Sequence, residues 1–287
     1  MKTSDIRDDL FRQAVEAIDS GDIAGLRELI DYDPGLVQKA LYTPGEEGYF
    51  KNPYLLWFIA DNPIRNEKLA PNVVAVTQLL VDKVKDLAPG TAQQQLDYAL
   101  GLVATGRTTR ESGKQIAIMD VLIDAGAKPG GGKGALAHGN IEAAKHLINR
   151  GGKLSLAVAV GLRRSDDIDE LLPNASDDEK ITALTLASFY GMADIVAIFI
   201  EADVDVNKIP SPESGFHSHA TPLHQAVASG SLATVRLLVE AGTDLTVKDK
   251  IHEGTPLDWA NYLQLDAGTP EPVREKVKII KDYLKDL

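Results

Sequence analysis

The 287-residue chain contains no cysteine. It can therefore form no disulfide, no thiolate metal site and no cysteine nucleophile. Long apolar runs are also missing: the segment from Leu154 to Leu162 is nine residues long, against about 20 for a helix that crosses a bilayer. The charged residues 1–13 have no apolar core of the kind that a signal peptide needs. These absences predict a soluble cytoplasmic protein that binds no membrane.

Basic side chains are in deficit, with 30 lysines and arginines against 42 aspartates and glutamates, a net charge of −12. Such a surface repels phosphate, which disfavours nucleic acid and anionic lipid as partners. The 44% of hydrophobic and 25% of charged residues are ordinary for a globular protein and exclude wholesale disorder. We expect a folded, acidic protein that binds no nucleic acid.

The chain repeats one helical pattern, with apolar residues at i, i+3, i+6 and i+7, a spacing that places all four side chains on one stripe of a helix. Seven copies are complete, and an eighth has Ser165 in its first position. The complete copies begin at Ile23, Val73, Ile116, Ile141, Ala193, Leu232 and Val277. In four copies a glycine lies two residues before the pattern and a short apolar helix precedes the glycine: Gly21, Gly139, Gly191 and Gly230.

The repeating unit is therefore a short helix, a glycine turn, a longer helix and a loop. Neither helix can bury its stripe alone, so the units should stack into a solenoid. The copies recur on average about every 36 residues, with irregular gaps. We expect an all-α repeat solenoid of about eight helix pairs.

Residues 221–245, TPLHQAVASGSLATVRLLVEAGTDL, closely resemble the ankyrin repeat. GTPLDWA at 254–260 and TALTLASFYG at 182–191 echo the same motif. The resemblance implies short β-hairpin fingers between the helix pairs, with some repeats irregular or lacking fingers. We expect one solenoid over residues 1–287.

The resemblance is uneven along the chain. Repeats should be irregular over residues 1–180 and clear over 181–260, and a capping helix should cover 272–287. Within the clear repeats, Thr221 can cap a helix that begins with Pro222. The resemblance also implies that His224 bonds the Thr221 hydroxyl.

Three segments resemble functional motifs but lack essential positions. GAKPGGGKG at 126–134 has Ala127 where a phosphate loop needs glycine, and is interpreted as a turn between repeats. Asp203-x-Asp205-x-Asn207 could begin a calcium loop, but the later positions do not fit, and the motif matches an ankyrin tail. Seven acids within 166–179 have no accompanying nucleophile or base and predict a solvated face. We therefore expect neither enzyme activity nor a cofactor.

Four of the six histidines fall within residues 217–252. His217 and His219 could begin a zinc site with Glu213 as a third ligand. The alternative is that these histidines face solvent or a partner. We predict no metal, and keep as the second hypothesis a metal-binding sensor or hydrolase that uses the His217/His219 finger.

Aromatic residues number 16 and cluster unevenly. Tyr54, Trp57 and Phe58 are predicted to lie in the core. In ankyrin proteins the fingers and the residues before the glycine turn line a concave groove that binds partners. That resemblance implies a set of partner-binding residues, for which local packing is the alternative. The set is Tyr49, Phe50, His138, Phe189, Tyr190, Phe216, His217, His219 and Tyr262.

The function predicted from these features is a non-catalytic interaction module. Its partner would be a protein or peptide held in the concave groove, and a monomer is favoured. Exposed aromatic side chains are common at the centre of protein interfaces, so the aromatic finger between the sixth and seventh copies is the main candidate for contact with the partner.

Overall fold

The computed structural model describes residues 2–45 and 47–287 and contains helices but no β-strand within them. The all-α fold class is confirmed, whereas the predicted β-hairpin fingers are not. The chain folds as two compact units, Met1–Lys153 and Leu154–Leu287. The prediction of a single domain, with its internal boundaries, stays a prediction. Among the helices described, none combines the length and the apolarity that crossing a membrane requires.

Unit 1 consists of nine α-helices and two 3-10 segments among its described residues. The α-helices are α1 (Asp9–Ser20), α2 (Ile23–Tyr32), α3 (Gly35–Gln38), α4 (Val73–Leu87), α5 (Ala92–Thr105), α6 (Arg107–Glu111), α7 (Gln115–Asp124), α8 (Lys133–Ala137) and α9 (Ile141–Asn149). The 3-10 segments are Thr3–Asp5 and Leu55–Ala60.

Two rows of helices build unit 1. In the first row, α1, the 3-10 segment Leu55–Ala60, α5 and α8 pack one on the next; in the second row, α2, α4, α7 and α9 do the same. The 3-10 segment is buried throughout, so the predicted core positions of Trp57 and Phe58 are confirmed. The glycine-rich segment 126–134 joins α7 to α8, as its interpretation as a turn predicts.

Unit 2 contains eight α-helices and two 3-10 segments. The α-helices are α10 (Leu156–Gly161), α11 (Ser165–Leu171), α12 (Asp177–Phe189), α13 (Ala193–Glu201), α14 (Pro222–Ser229), α15 (Leu232–Glu240), α16 (Pro256–Leu265) and α17 (Glu271–Lys285). The 3-10 segments are Leu172–Asn174 and Pro212–Ser214.

The same two-row arrangement builds unit 2. Helices α10, α12, α14 and α16 form its first row, and α13, α15 and α17 pack successively in its second row, while α11 packs on α10. Each copy of the repeated pattern lies on the second helix of a pair, and its i+3 residue is buried in every copy. In α15, Val235 and Leu238 are completely covered. The eight predicted helix pairs are thus found, four in each unit.

The turn between the two helices of several pairs contains a glycine, because the backbone there is left-handed. Gly191, between α12 and α13, has φ +63°. A Cβ atom at this position would lie 2.8 Å from the Cβ of Ser231, closer than packed carbon atoms allow. Both the conformation and the close approach of the next repeat therefore require glycine here.

Candidate functional site

The nine predicted partner-binding residues are divided between the units. Tyr49, Phe50 and His138 belong to unit 1, and the other six belong to unit 2. The structure therefore brings together two aromatic clusters, one in each unit.

In unit 1, the segment that carries Tyr49 and Phe50 packs on the 3-10 segment Leu55–Ala60. The Phe50 ring meets Phe58 edge-on at 5.3 Å between centroids. The Tyr49 carbonyl accepts a hydrogen bond from the Tyr98 hydroxyl, and the Tyr49 hydroxyl donates to Asn62 Oδ1 at 2.9 Å. Tyr49 remains 57% exposed, so Tyr49 offers more surface to a partner than the half-buried Phe50 does.

His138 lies at the end of α8 and is exposed. Its carbonyl accepts a hydrogen bond from Arg110 Nη1 at 3.1 Å. Its role in binding stays a prediction.

In unit 2, Phe189 and Tyr190 end α12 and meet the loop before α14. The His217 ring stacks on Phe189, with centroids 4.7 Å apart, and lies 5.8 Å from the His219 ring. Phe189, Tyr190, His217 and His219 are all half-buried. These residues form a packed aromatic cluster at the loop before α14, where the sequence predicted a finger.

Phe216 corrects one expectation of the sequence analysis, that its side chain is exposed. It is 1% exposed, because its ring packs edge-on against Phe189 at 5.8 Å and against the His217 ring at 4.6 Å. Its amide donates to Ser214 Oγ at 3.3 Å, within the turn that folds the ring inward. Phe216 thus packs inside the aromatic cluster and offers no surface to a partner.

His224 makes the hydrogen bond that the resemblance implies. Its Nδ1 lies 2.7 Å from Thr221 Oγ1, and its Nε2 lies 3.0 Å from the Gly254 carbonyl oxygen. The ring is fully buried, and burial lowers its pKa despite the carbonyl contact. His224 therefore joins the start of α14 to the loop before α16 as a neutral side chain.

Trp259 is a central residue of unit 2 that the sequence analysis did not single out. Its ring lies 5.1 Å from the His224 ring and 5.9 Å from the His219 ring. The available signal was the alignment of TPLDWA with TPLHQA, which puts Trp259 at the place of the buried Gln225. A much larger side chain at that place reaches beyond the helix to the neighbouring loop.

Asp249 organises that loop and was also missed. Its carboxylate, 2% exposed, accepts hydrogen bonds from four donors at 2.8–3.0 Å: the amides of Ile251, His252 and Gly254 and the indole Nε1 of Trp259. Burial alone would raise the Asp249 pKa, but these donors hold the pKa well below its ordinary value. Asp249 is thus an ionised, structural carboxylate.

A groove with a cavity of about 460 Å³ opens beside Trp259, and we call it the α16 groove. It is lined by Ala228, His252, Gly254, Asp258, Trp259, Tyr262 and Leu263. Tyr262 is 66% exposed, and its role in binding stays a prediction. Asp258 accepts hydrogen bonds from the amide and hydroxyl of Thr255 at 2.9 and 2.7 Å, which lower its pKa.

The side chains of His217 and His219 are engaged in ring contacts. Across residues 2–45 and 47–287, no group of three or more histidines, aspartates or glutamates could hold a metal ion. The His217 ring packs on Phe189 and the His219 ring on Trp259. Nothing in this geometry supports the hypothesis of a metal-binding sensor or hydrolase.

Comparison with known proteins identifies the repeats. Residues 133–249 match the family model for ankyrin repeats (3 copies). The palmitoyltransferase Hip14 of Drosophila melanogaster is 36% identical over 76 residues, which cover 26% of this chain and 11% of that protein. The crystal structure of the human ASB11 ankyrin repeat domain aligns with 95% of this chain and 97% of its own, at 17% identity and a TM-score of 0.37.

Proposed function

We propose, from the premise that the chain is an ankyrin-repeat protein, that it is a non-catalytic module that binds a protein or peptide. Ankyrin repeats are in general protein-interaction modules, and stacked repeats offer extended surfaces for binding. The binding surface would be the side of unit 2 made by its first-row helices and the loops that precede them. The proposal includes a cytoplasmic location, which the cysteine-free sequence fits.

The observation that carries the proposal is a second apolar face on α16. This helix already packs through Pro256 and Ala260, which are buried. It also leaves two large apolar side chains exposed, three residues apart on the helix: Tyr262, which lines the α16 groove, at 66%, and Leu265 at 81%. Side chains of this size gain no stability from exposure to water, and grouped exposed apolar residues mark interaction sites. A partner that covers them would bury an aromatic anchor.

The chemistry of the groove supports a non-catalytic role. Among its lining residues there is no serine, threonine or lysine, and the charged or titratable groups there are His252, Asp258 and Tyr262. Asp258 is engaged in capping its own helix. A nucleophile, a base and an oxyanion donor cannot be assembled from this set.

Affinity capture tests the proposal directly. The purified chain and two variants are immobilised and exposed to a lysate of the native cell, and retained proteins are then tested one by one in purified form. Tyr262→Ala removes an exposed groove residue, and Ile279→Ala is the matched control, because Ile279 is 57% exposed on the second-row helix α17. We expect a purified partner whose binding Tyr262→Ala weakens at least about tenfold and Ile279→Ala leaves unchanged.

The opposite pattern overturns the proposal. A partner that binds the Tyr262→Ala variant as well as the original chain, but not the Ile279→Ala variant, would place the binding surface on the second-row helices. Hydrolysis or transfer of a substrate by the purified chain would contradict the non-catalytic role.

A further inference from the structure

The charge of the chain is distributed very unequally. Unit 1 carries 20 acidic against 18 basic residues, a net charge of −2, whereas unit 2 carries 22 against 12, a net charge of −10. Within unit 2, the segment 271–287 carries five of the 12 basic residues and four of the 22 acidic residues. Residues 154–270, which contain the α16 groove, have 18 acidic and 7 basic residues and a net charge of −11. The unit that contains the α16 groove therefore carries −10 of the net charge of −12.

The groove itself combines apolar walls with a carboxylate. Trp259, Tyr262 and Leu263 supply ring and aliphatic surface on one side, and the exposed carboxylate of Asp258 lies among them. Glu253, also exposed, lies between the lining residues His252 and Gly254. The basic side chain that acts on Asp258 electrostatically is Lys248, and no lysine or arginine lines the groove.

We propose that the α16 groove binds an extended peptide segment in which an arginine or lysine stands beside a large apolar side chain. This inference rests on the proposed function and specifies its partner. The apolar side chain would pack on Tyr262 and Leu263. The cation would pair with the Asp258 carboxylate while its stem covers the ring of Tyr262.

Alternative ligands fit this surface less well. The Asp258 carboxylate accepts hydrogen bonds from Thr255 within its own helix cap. A purely apolar peptide would remove water from this charge without supplying a cation, which costs binding free energy. An acidic peptide would approach a unit with a net charge of −10, which disfavours association at physiological ionic strength. Arginine suits the site best, since its planar guanidinium can stack on an aromatic ring and hydrogen-bond a carboxylate at the same time.

A phage-displayed library of random dodecapeptides, selected against the full chain, tests this inference. We expect the selected peptides to be enriched in arginine or lysine next to leucine, isoleucine, phenylalanine or tryptophan. The best peptide, synthesised with a fluorescent label, is then titrated by fluorescence anisotropy. Its Kd should rise at least about tenfold for Tyr262→Ala and several-fold for Asp258→Asn, and should also rise with salt.

Matched controls separate the groove from general effects. Ile279→Ala and Glu240→Gln remove an exposed apolar and an exposed acidic residue of the second-row helices and should leave the Kd unchanged. Because Asp258 also caps α16, thermal melting checks each variant, and Glu253→Gln provides a second test of charge that leaves the cap intact.

Three results would overturn the inference: selection of acidic or purely apolar peptides, a peptide Kd that Tyr262→Ala leaves unchanged, or a selection that enriches no peptide sequence. Each leaves the proposed function to be decided by the capture experiment with purified partners. A partner captured through Tyr262 but lacking a basic residue at its contact would refute the peptide class and keep the proposed function.

Discussion

Replacing Asp249 with alanine is the sharpest perturbation of unit 2 that the structure suggests. Its carboxylate accepts hydrogen bonds from three backbone amides and from the Trp259 indole. Truncation leaves all four donors without their acceptor. A buried donor left unsatisfied costs about 1–3 kcal/mol, but Ile251 and His252 are exposed residues, so we expect water to hydrate their amides in the variant. We therefore expect a loss of about 2–4 kcal/mol in the free energy of unfolding, less than the full cost of four donors.

Trp259 itself provides the assay. The chain has two tryptophans, Trp57 in unit 1 and Trp259 in unit 2. In a Trp57→Phe background, the fluorescence of Trp259 during urea unfolding reports unit 2 alone. The midpoint should fall with an unchanged slope. Asp244→Ala is the matched control, because this exposed aspartate accepts from the Thr246 amide and hydroxyl in a similar turn and should cost much less.

Acid should weaken unit 2 through the same residue. The folded-state pKa of Asp249 is depressed, so its contribution is complete above the unfolded value of about 3.9 and is lost as the pH falls below it. Asp249→Asn should flatten the pH dependence of stability between about pH 4 and 2. A stability of Asp249→Ala within about 0.5 kcal/mol of the parent would refute the reasoning, because the carboxylate would then not hold the loop.

Three further variants have defined expectations. His224→Ala removes the ring that joins Thr221 to Gly254 and should lower the free energy of unfolding by about 1–2 kcal/mol in chemical denaturation. Because burial depresses the His224 pKa, the contribution of His224 to stability should be complete above about pH 6.5 and decline as the pH falls below that. An unchanged stability would contradict the contact. Phe216→Ala should lower the free energy of unfolding by about 3–5 kcal/mol because the Phe216 ring is buried. An unchanged stability in calorimetry would contradict this burial. Gly191→Ala should lower the melting temperature, at a cost of about 1–3 kcal/mol, since its φ is +63° and the added Cβ meets Ser231; a stable variant would show that the turn can relax.

Local sequence determined the second helix of every pair and the order of these helices. The spacing of i, i+3, i+6 and i+7 identifies the second helix of every pair, because a buried stripe must follow the period of the helix itself. Thr221 with His224, and the glycine before α13, were predictable for the same reason: caps and left-handed turns involve residues a few positions apart.

Tertiary structure alone decided which of the predicted binding residues are exposed to solvent. Phe216 and Tyr262 are both aromatic residues assigned to the same groove, yet Phe216 is buried and Tyr262 is exposed. The difference arises because the loop before α14 folds onto Phe189, in the preceding repeat, whereas Tyr262 lies on a helix face that no described neighbour covers. Asp249 has three donors in its own loop, but its fourth donor, the Trp259 indole, belongs to α16. Contacts between repeats are set by packing, and no local period in the sequence encodes them.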